Sequence, residues 1–248
     1  MKNINIRQKE FNTIKEINRL NNHMPRELSK KYGIKYFDEL DDRETYELKN
    51  GNLVYVDPGK IRILTMIDDY DNTFKYNSAQ RQFELKTQKY NKKLQENDSY
   101  EFRKKMERYS FFDRQKSDAK LIQIIKEKYG NNPTLIIGDW SETVLNEDSQ
   151  AIEMIKLLSK YFKMYLIDEF NTSKLNYMTE QPCENLEIKT MENGQIVTKK
   201  LHAVLRYMMP NGRMGCINRD INAVKNMRKI VHSVLSGNGW PERYKRWK

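Results

Sequence analysis

Leu53-Val54-Tyr55-Val56-Asp57-Pro58-Gly59 opens with a β-branched and aromatic run and closes on a turn signal, so residues 53–56 read as a strand ended by Asp57-Pro58-Gly59. A second apolar run covers residues 61–67, and Asp71-Asn72 marks another turn before Thr73-Phe74-Lys75-Tyr76. Three short strands joined by tight turns follow from this spacing.

Residues 78–129 contain no Pro or Gly, and Phe83, Tyr90, Leu94, Phe102, Met106, Tyr109, Leu121, Ile124 and Ile125 recur at helical spacing. The spacing predicts a long helical region broken near Asn97-Asp98-Ser99, where Asp98 or Ser99 caps the second part. Gly130-Asn131-Asn132-Pro133 stops it. Residues 134–137 and 164–167 then read as fully buried strands on either side of a helix over 149–162, with Ile152, Ile155, Leu158 and Phe162 on one face. Residues 171–218 read as an irregular, turn-rich insertion, and 219–235 as a last helix with Ala223, Met227, Ile230 and Val234 inward. Three strands, helix, strand, helix, strand, insertion, helix is the order of a ribonuclease H-like α/β fold, a mixed sheet flanked by helices. Residues 1–50 are polar and read as an appendage, with a short helix over 5–21 and then a linker; residues 236–248 form a tail mixing Trp and Tyr with Lys and Arg.

Composition narrows the function. Lys and Arg number 45 against 34 Asp and Glu, a formal net charge of +11, which together with 27 aromatic side chains suits a nucleic-acid partner. Residues 81–128 carry 14 basic and 8 acidic side chains and residues 221–248 carry 7 and 1, whereas 137–180 hold 8 acidic and 4 basic. An acidic centre between basic stretches is what a metal-dependent enzyme acting on a polyanion needs. Two cysteines supply neither a disulfide framework nor a four-cysteine zinc site. No apolar run is long enough to span a membrane and the first residues lack a secretory signal's apolar stretch, so an intracellular protein is expected.

Asp57 ends the first strand, Asp139 follows the fourth, Asp168-Glu169 follows the fifth, and Asp220 opens the last helix. Singly, each reads as a turn former or a helix-dipole partner. Jointly, carboxylates at several strand ends suit Mg²⁺ or Mn²⁺, and two such ions can stabilise the attacking and leaving oxygens of phosphodiester hydrolysis.

Val54-Tyr55-Val56-Asp57-Pro58-Gly59, Asp168-Glu169-Phe170-Asn171-Thr172-Ser173-Lys174 and Asn218-Arg219-Asp220-Ile221-Asn222-Ala223-Val224-Lys225-Asn226-Met227 resemble the three RuvC-type nuclease segments of the Fanzor proteins, eukaryotic and large-virus relatives of the transposon-encoded TnpB nucleases. Residues 76–90 and Ile136-Ile137-Gly138-Asp139-Trp140-Ser141 support the resemblance, which covers roughly 51–235. It implies an RNA-guided DNA endonuclease with DNA and a guide RNA as partners, acting in a nucleus or viral replication compartment. It also implies a second carboxylate relocated to Glu169, because the position where TnpB-like relatives carry a strand-four Glu is Gly138. Asp57, Glu169 and Asp220 are then the expected catalytic metal ligands, with Asp139 and Asp168 as second choices.

Two departures from the family pattern stand out. The family's insertion between the second and third segments carries a zinc knuckle with two Cys pairs, and here only Cys183, Cys216 and His202 remain; three ligands do not close a structural tetrahedral site, so two ordinary thiols are expected and no zinc. Only about 50 residues precede the first segment, where family members carry RNA- and DNA-gripping domains, so the chain reads as a C-terminal nuclease portion. A decayed remnant that binds nucleic acid without cutting is the competing reading, and a guide-independent resolvase or ribonuclease on the same fold a third. Arg81, Lys86, Lys89, Lys92 and Lys93 along the helical region, with Lys174 and Arg219, are the candidate phosphate contacts. Trp140 beside Asp139 reads either as a base-stacking platform or as a core edge.

Overall fold

The computed structural model describes residues 33–97, 99–139, 150–192 and 194–246. The helix expected over 5–21 and Trp140 lie outside them. Five strands, β1 (Leu53–Pro58), β2 (Arg62–Asp68), β3 (Thr73–Asn77), β4 (Thr134–Gly138) and β5 (Met164–Ile167), form one mixed sheet in the order β3-β2-β1-β4-β5. The first three pair antiparallel as a meander, and β4 and β5 add in parallel on the other side of β1. This order, with helices on both faces, is consistent with a ribonuclease H-like fold.

Side-chain alternation along the strands builds two cores. Val54, Val56, Leu135, Ile137, Met164 and Leu166 face the C-terminal half of α4 (Tyr100–Tyr129) and helix α5 (Gln150–Leu158). Leu53, Tyr55, Ile136, Tyr165 and Ile167 face α6 (Arg219–Leu235), which buries Val224, Met227, Ile230, Val231 and Leu235 against them. Asn218 caps α6 by accepting from the Ile221 backbone N–H at 3.2 Å. Between β3 and α4 lie α2 (Ser78–Glu84) and α3 (Thr87–Glu96), so the expected helical region is three helices. One helix ends at Glu96 and the next starts at Tyr100; Ser99 takes the N-cap position of α4 without a side-chain capping bond, and Asp98 lies outside the described residues.

Two expectations need correction. Residues 33–50 are not a linker: Tyr36 bridges to Leu166 beside β5, α1 (Asp42–Lys49) follows, and Ile34, Tyr36, Phe37 and Leu48 are core residues. Much of 171–218 is regular, a three-stranded antiparallel sheet of β6 (Glu184–Glu192), β7 (Gln195–Met208) and β8 (Met214–Asn218). Leu205 and Tyr207 are buried near the hairpin's base, β6 alternates half-buried Leu186, Ile188 and Thr190 with exposed Glu187, Lys189 and Met191, and the outer part of β7 is exposed on both sides. Residues 236–246, part of the expected aromatic and basic tail, are docked on the fold, with rings turned inward. Tyr244 is fully buried, its hydroxyl donates to Asn226 Oδ1 at 2.7 Å, and Trp240 Nε1 donates to the Tyr244 carbonyl at 3.1 Å.

Tyr244→Ala is expected to lower stability to urea by about 3 kcal/mol, combining the lost ring with an unpaired Asn226 amide oxygen. Tyr244→Phe, which loses only the hydrogen bond, is expected to cost about 1 kcal/mol.

Candidate metal centre

Strand alternation sorts the acidic candidates. Counting along β1, β4 and β5, Asp57, Gly138 and Glu169 continue the α6-facing set, whereas Asp139 and Asp168 continue the opposite one. The parallel register pairs Val56 with Ile137 and Gly138 with Ile167, so the ends of the three strands stand side by side. Asp220 reaches the same place from the first turn of α6.

Gly138 is what makes room. A β-carbon at this position would strike Glu169 Oε2 and lie 2.7 Å from Met227 Cε, so the Glu169 carboxylate occupies the space directly over the glycine. The segment carrying Glu169 is clasped to α6 by two buried asparagines one turn apart. Asn222 Nδ2 donates to the carbonyls of Thr172 (3.1 Å) and Leu175 (2.7 Å), and Asn226 Nδ2 donates to the same two at 2.7 Å each. Asn222 Oδ1 accepts from the Tyr177 backbone N–H at 3.0 Å, and Thr172 Oγ1 closes the turn on the Glu169 carbonyl at 2.8 Å. The Asn-rich α6 segment thus positions the neighbouring carboxylate, a role not read from the sequence; the i, i+4 spacing of Asn222 and Asn226 on the buried face was the available signal.

The carboxylates crowd one another. Each of Asp57 and Glu169 is half-buried as a residue, while its carboxyl is desolvated by surrounding protein. That desolvation, with the nearby Asp220 charge, pushes the Asp57 carboxyl up to about 8, against an opposing pull from Arg219. Glu169 is raised well above the ordinary carboxylate range by burial first, then by Asp57, Asp139 and Asp168, again opposed by Arg219. Asp220 is half-buried and accepts from Arg62 Nη1 at 2.7 Å. Arg62 was not singled out in the sequence. It starts β2 just after the Asp57-Pro58-Gly59 turn, and that adjacency was the only hint.

The two second-choice acids are engaged elsewhere. Tyr36 donates its hydroxyl to Asp139 Oδ2, and Asp168 accepts from Arg246 Nε at 2.8 Å while capping the Phe170 backbone N–H at 2.9 Å. Among the described residues, no three His, Cys, Asp or Glu side chains are drawn together closely enough to hold a metal ion as they stand. Asp57, Glu169 and Asp220 are neighbours in an open arrangement. Their all-oxygen donor set is the chemistry that a hard divalent cation takes, and the bare glycine leaves room for the Glu169 carboxylate at the strand ends, so in donor type the residues fit such an ion. Cys183, just before β6, and Cys216 on β8 are separated by the intervening β7, where Arg206 pairs with both Glu184 and Cys216.

The candidate phosphate contacts divide into two groups. Arg81 is a correction: it is 1% exposed, bound to Asp118 at 2.7 Å and Ser117 at 2.8 Å, and ties α2 to α4. Lys86 is tied to Asp113 at 2.9 Å, within the same helical region. Lys89, Lys92, Lys93, Lys174 and Arg219 face solvent, and Arg219 is the cation acting on both Asp57 and Glu169. No helix among the described residues is long and apolar enough to cross a membrane.

No family model and no curated protein matches the sequence. Among solved structures, the cryo-EM structure of a Cas12f1–sgRNA–target DNA complex is similar with a TM-score of 0.41, at 13% identity over 71% of this chain and 49% of that one. The chain thus spans about half the length of the protein it matches there.

The raised Asp57 carboxyl sets a pH dependence. Its folded-state value lies above the ordinary 3.8, so the neutral form favours folding; this contribution is complete below pH 4 and is lost as pH rises towards about 8. In EDTA, Asp57→Asn is therefore expected to gain more than about 1 kcal/mol on the wild type between pH 4 and pH 8 in urea unfolding. At pH 8, Mn²⁺ is expected to stabilise the wild type and leave Asp57→Asn nearly unchanged. For Arg81→Ala, a loss of about 3 kcal/mol in stability with unchanged oligonucleotide affinity is expected, because its guanidinium is consumed inside the fold.

Proposed function

We propose that this chain is a RuvC-type, divalent-metal-dependent DNA endonuclease domain of the RNA-guided Fanzor and TnpB type, with Asp57, Glu169 and Asp220 holding Mg²⁺ or Mn²⁺. The observation that carries the reading is the Glu169 carboxylate standing over Gly138, beside the end of β1 that bears Asp57. A carboxylate supplied from β5 into a gap left by glycine on β4 is the relocation that the sequence resemblance implies.

Within this reading, each residue has a physical task. Asp57, on the sheet, and Asp220, at the N-terminus of α6, provide ligand oxygens from two elements packed on each other. Glu169 provides the third from a loop fixed by Asn222 and Asn226. Bound there, the cation would activate a water and stabilise the leaving 3′ oxygen, so no side-chain nucleophile is required. Arg219 and Lys174, exposed at the rim, present cations to a phosphodiester, and Lys89, Lys92 and Lys93 extend the basic surface along α3. DNA is the substrate and a guide RNA the partner; a nucleus or a viral replication compartment is the setting that agrees.

A remnant that binds nucleic acid without cutting is the second reading. It is favoured by the open arrangement of the three carboxylates and by the pairing of Asp220 with Arg62.

Cleavage of labelled single-stranded DNA with Mg²⁺ separates the two. Asp57→Ala, Glu169→Ala and Asp220→Ala are each expected to lower the rate by more than the roughly 100-fold that loss of an outer-shell group costs, and Asp168→Asn by less. Cleavage that survives Asp57→Ala refutes the site, and bound but uncut DNA in the wild type under all conditions establishes the remnant.

A further inference from the structure

Arg62 differs from Arg81 and Arg246, two other arginines held by acids in this fold. Arg81 is buried and fixed by Asp118, Glu153 and Ser117, and Arg246 pairs with Asp168 while its guanidinium lies 5.3 Å over the Phe170 ring. Arg62 is about one-third exposed, and Asp220 is the one side-chain partner of its guanidinium among the described residues. Its backbone is nevertheless fixed to the site. The register of β2 against β3 shifts between Arg62 and Leu64, and the Arg62 carbonyl packs so closely against Gly59 that a β-carbon there would lie 2.7 Å away. A bulge of this kind aims one side chain out of the ladder.

The charges around it are not balanced in every state. With all three carboxylates ionised, as ligation of a cation requires, Asp57, Glu169 and Asp220 and the guanidiniums of Arg62 and Arg219 sum to one formal negative charge. A divalent cation reverses this to one positive charge, which a single phosphodiester cancels. The guanidinium fork fits carboxylate and phosphate alike.

We propose that Arg62 is an exchangeable counter-ion, holding Asp220 until a divalent cation takes that carboxylate and then passing to a backbone phosphate of the bound nucleic acid. This rests on the metal-site reading given above. Arg62 is on this account a positioning residue that couples cation loading to substrate grip.

The test measures two kinds of binding. Mn²⁺ affinity is taken by calorimetry on the wild type, Arg62→Ala, Asp220→Ala, the double variant and Asp57→Ala. Binding of a fluorescent 20-nucleotide oligo(dT) is followed against salt in EDTA and in Ca²⁺, with gels confirming that it stays intact. Arg62→Ala is expected to tighten Mn²⁺ binding by about fivefold, the upper range for a partly exposed ion pair, and to have no effect once Asp220 is gone. The salt slope of oligo(dT) binding is expected to fall by about 0.7 in Ca²⁺ and not in EDTA. Tightening that persists in the Asp220→Ala background, unchanged Mn²⁺ affinity, or an equal loss of slope in both buffers overturns the exchange while leaving the metal site standing. Equal Mn²⁺ binding by the wild type and Asp57→Ala overturns the metal site itself, and the exchange with it.

Discussion

Asp57 and Glu169 are held together over a glycine, partly out of water, with Asp220 alongside, and their mutual repulsion is the cost that the surrounding structure absorbs. Like charges in a desolvated space raise one another's proton affinity and push the strand ends apart. The fold resists through rigid elements: a parallel ladder joins β1, β4 and β5, and the buried asparagine pair ties the Glu169 loop to α6. Arg219 and Arg62 supply part of the missing positive charge, and the α6 N-terminus adds its dipole beside Asp220.

The basic surface looks different once side chains are placed. Arg81 is buried between α2 and α4 and unavailable to a polyanion, whereas Lys86 pairs with Asp113 of α4 and is about half exposed. The exposed cations that remain from the candidate set, Lys89, Lys92 and Lys93 on α3 and Lys174 and Arg219 near the carboxylates, form two separate groups. Segment-level charge counts therefore overstate the free positive charge along the helices, and they miss Arg62 beside Asp220.

Much of the sheet was legible because its signals are local. Apolar runs and turn residues marked the five strands of the main sheet, and α6 occupies the expected residues 219–235. Strand parity, applied one residue further, puts Asp168 and Glu169 on opposite faces, but which of them shares a face with Asp57 follows only from the register of β1, β4 and β5. What escaped the sequence depends on contacts between distant segments. Nothing near Arg81 announces Asp118 and Glu153, and nothing near Tyr244 announces Asn226. In the β6–β7 hairpin the signal was weak but present: Leu186-Glu187-Ile188-Lys189 alternates over four residues in β6, whereas the outer part of β7 is polar and exposed on both faces.

The most direct test of the carboxylate site is crystallographic. Crystals equilibrated with Mn²⁺ and measured at the manganese edge would locate the ion by its anomalous signal. The account predicts a peak ligated by Asp57 and Glu169, with the Asp220 carboxylate turned to it and away from Arg62. A peak held by Asp139 or Asp168, or none between Asp57 and Glu169 at saturating Mn²⁺, would contradict it.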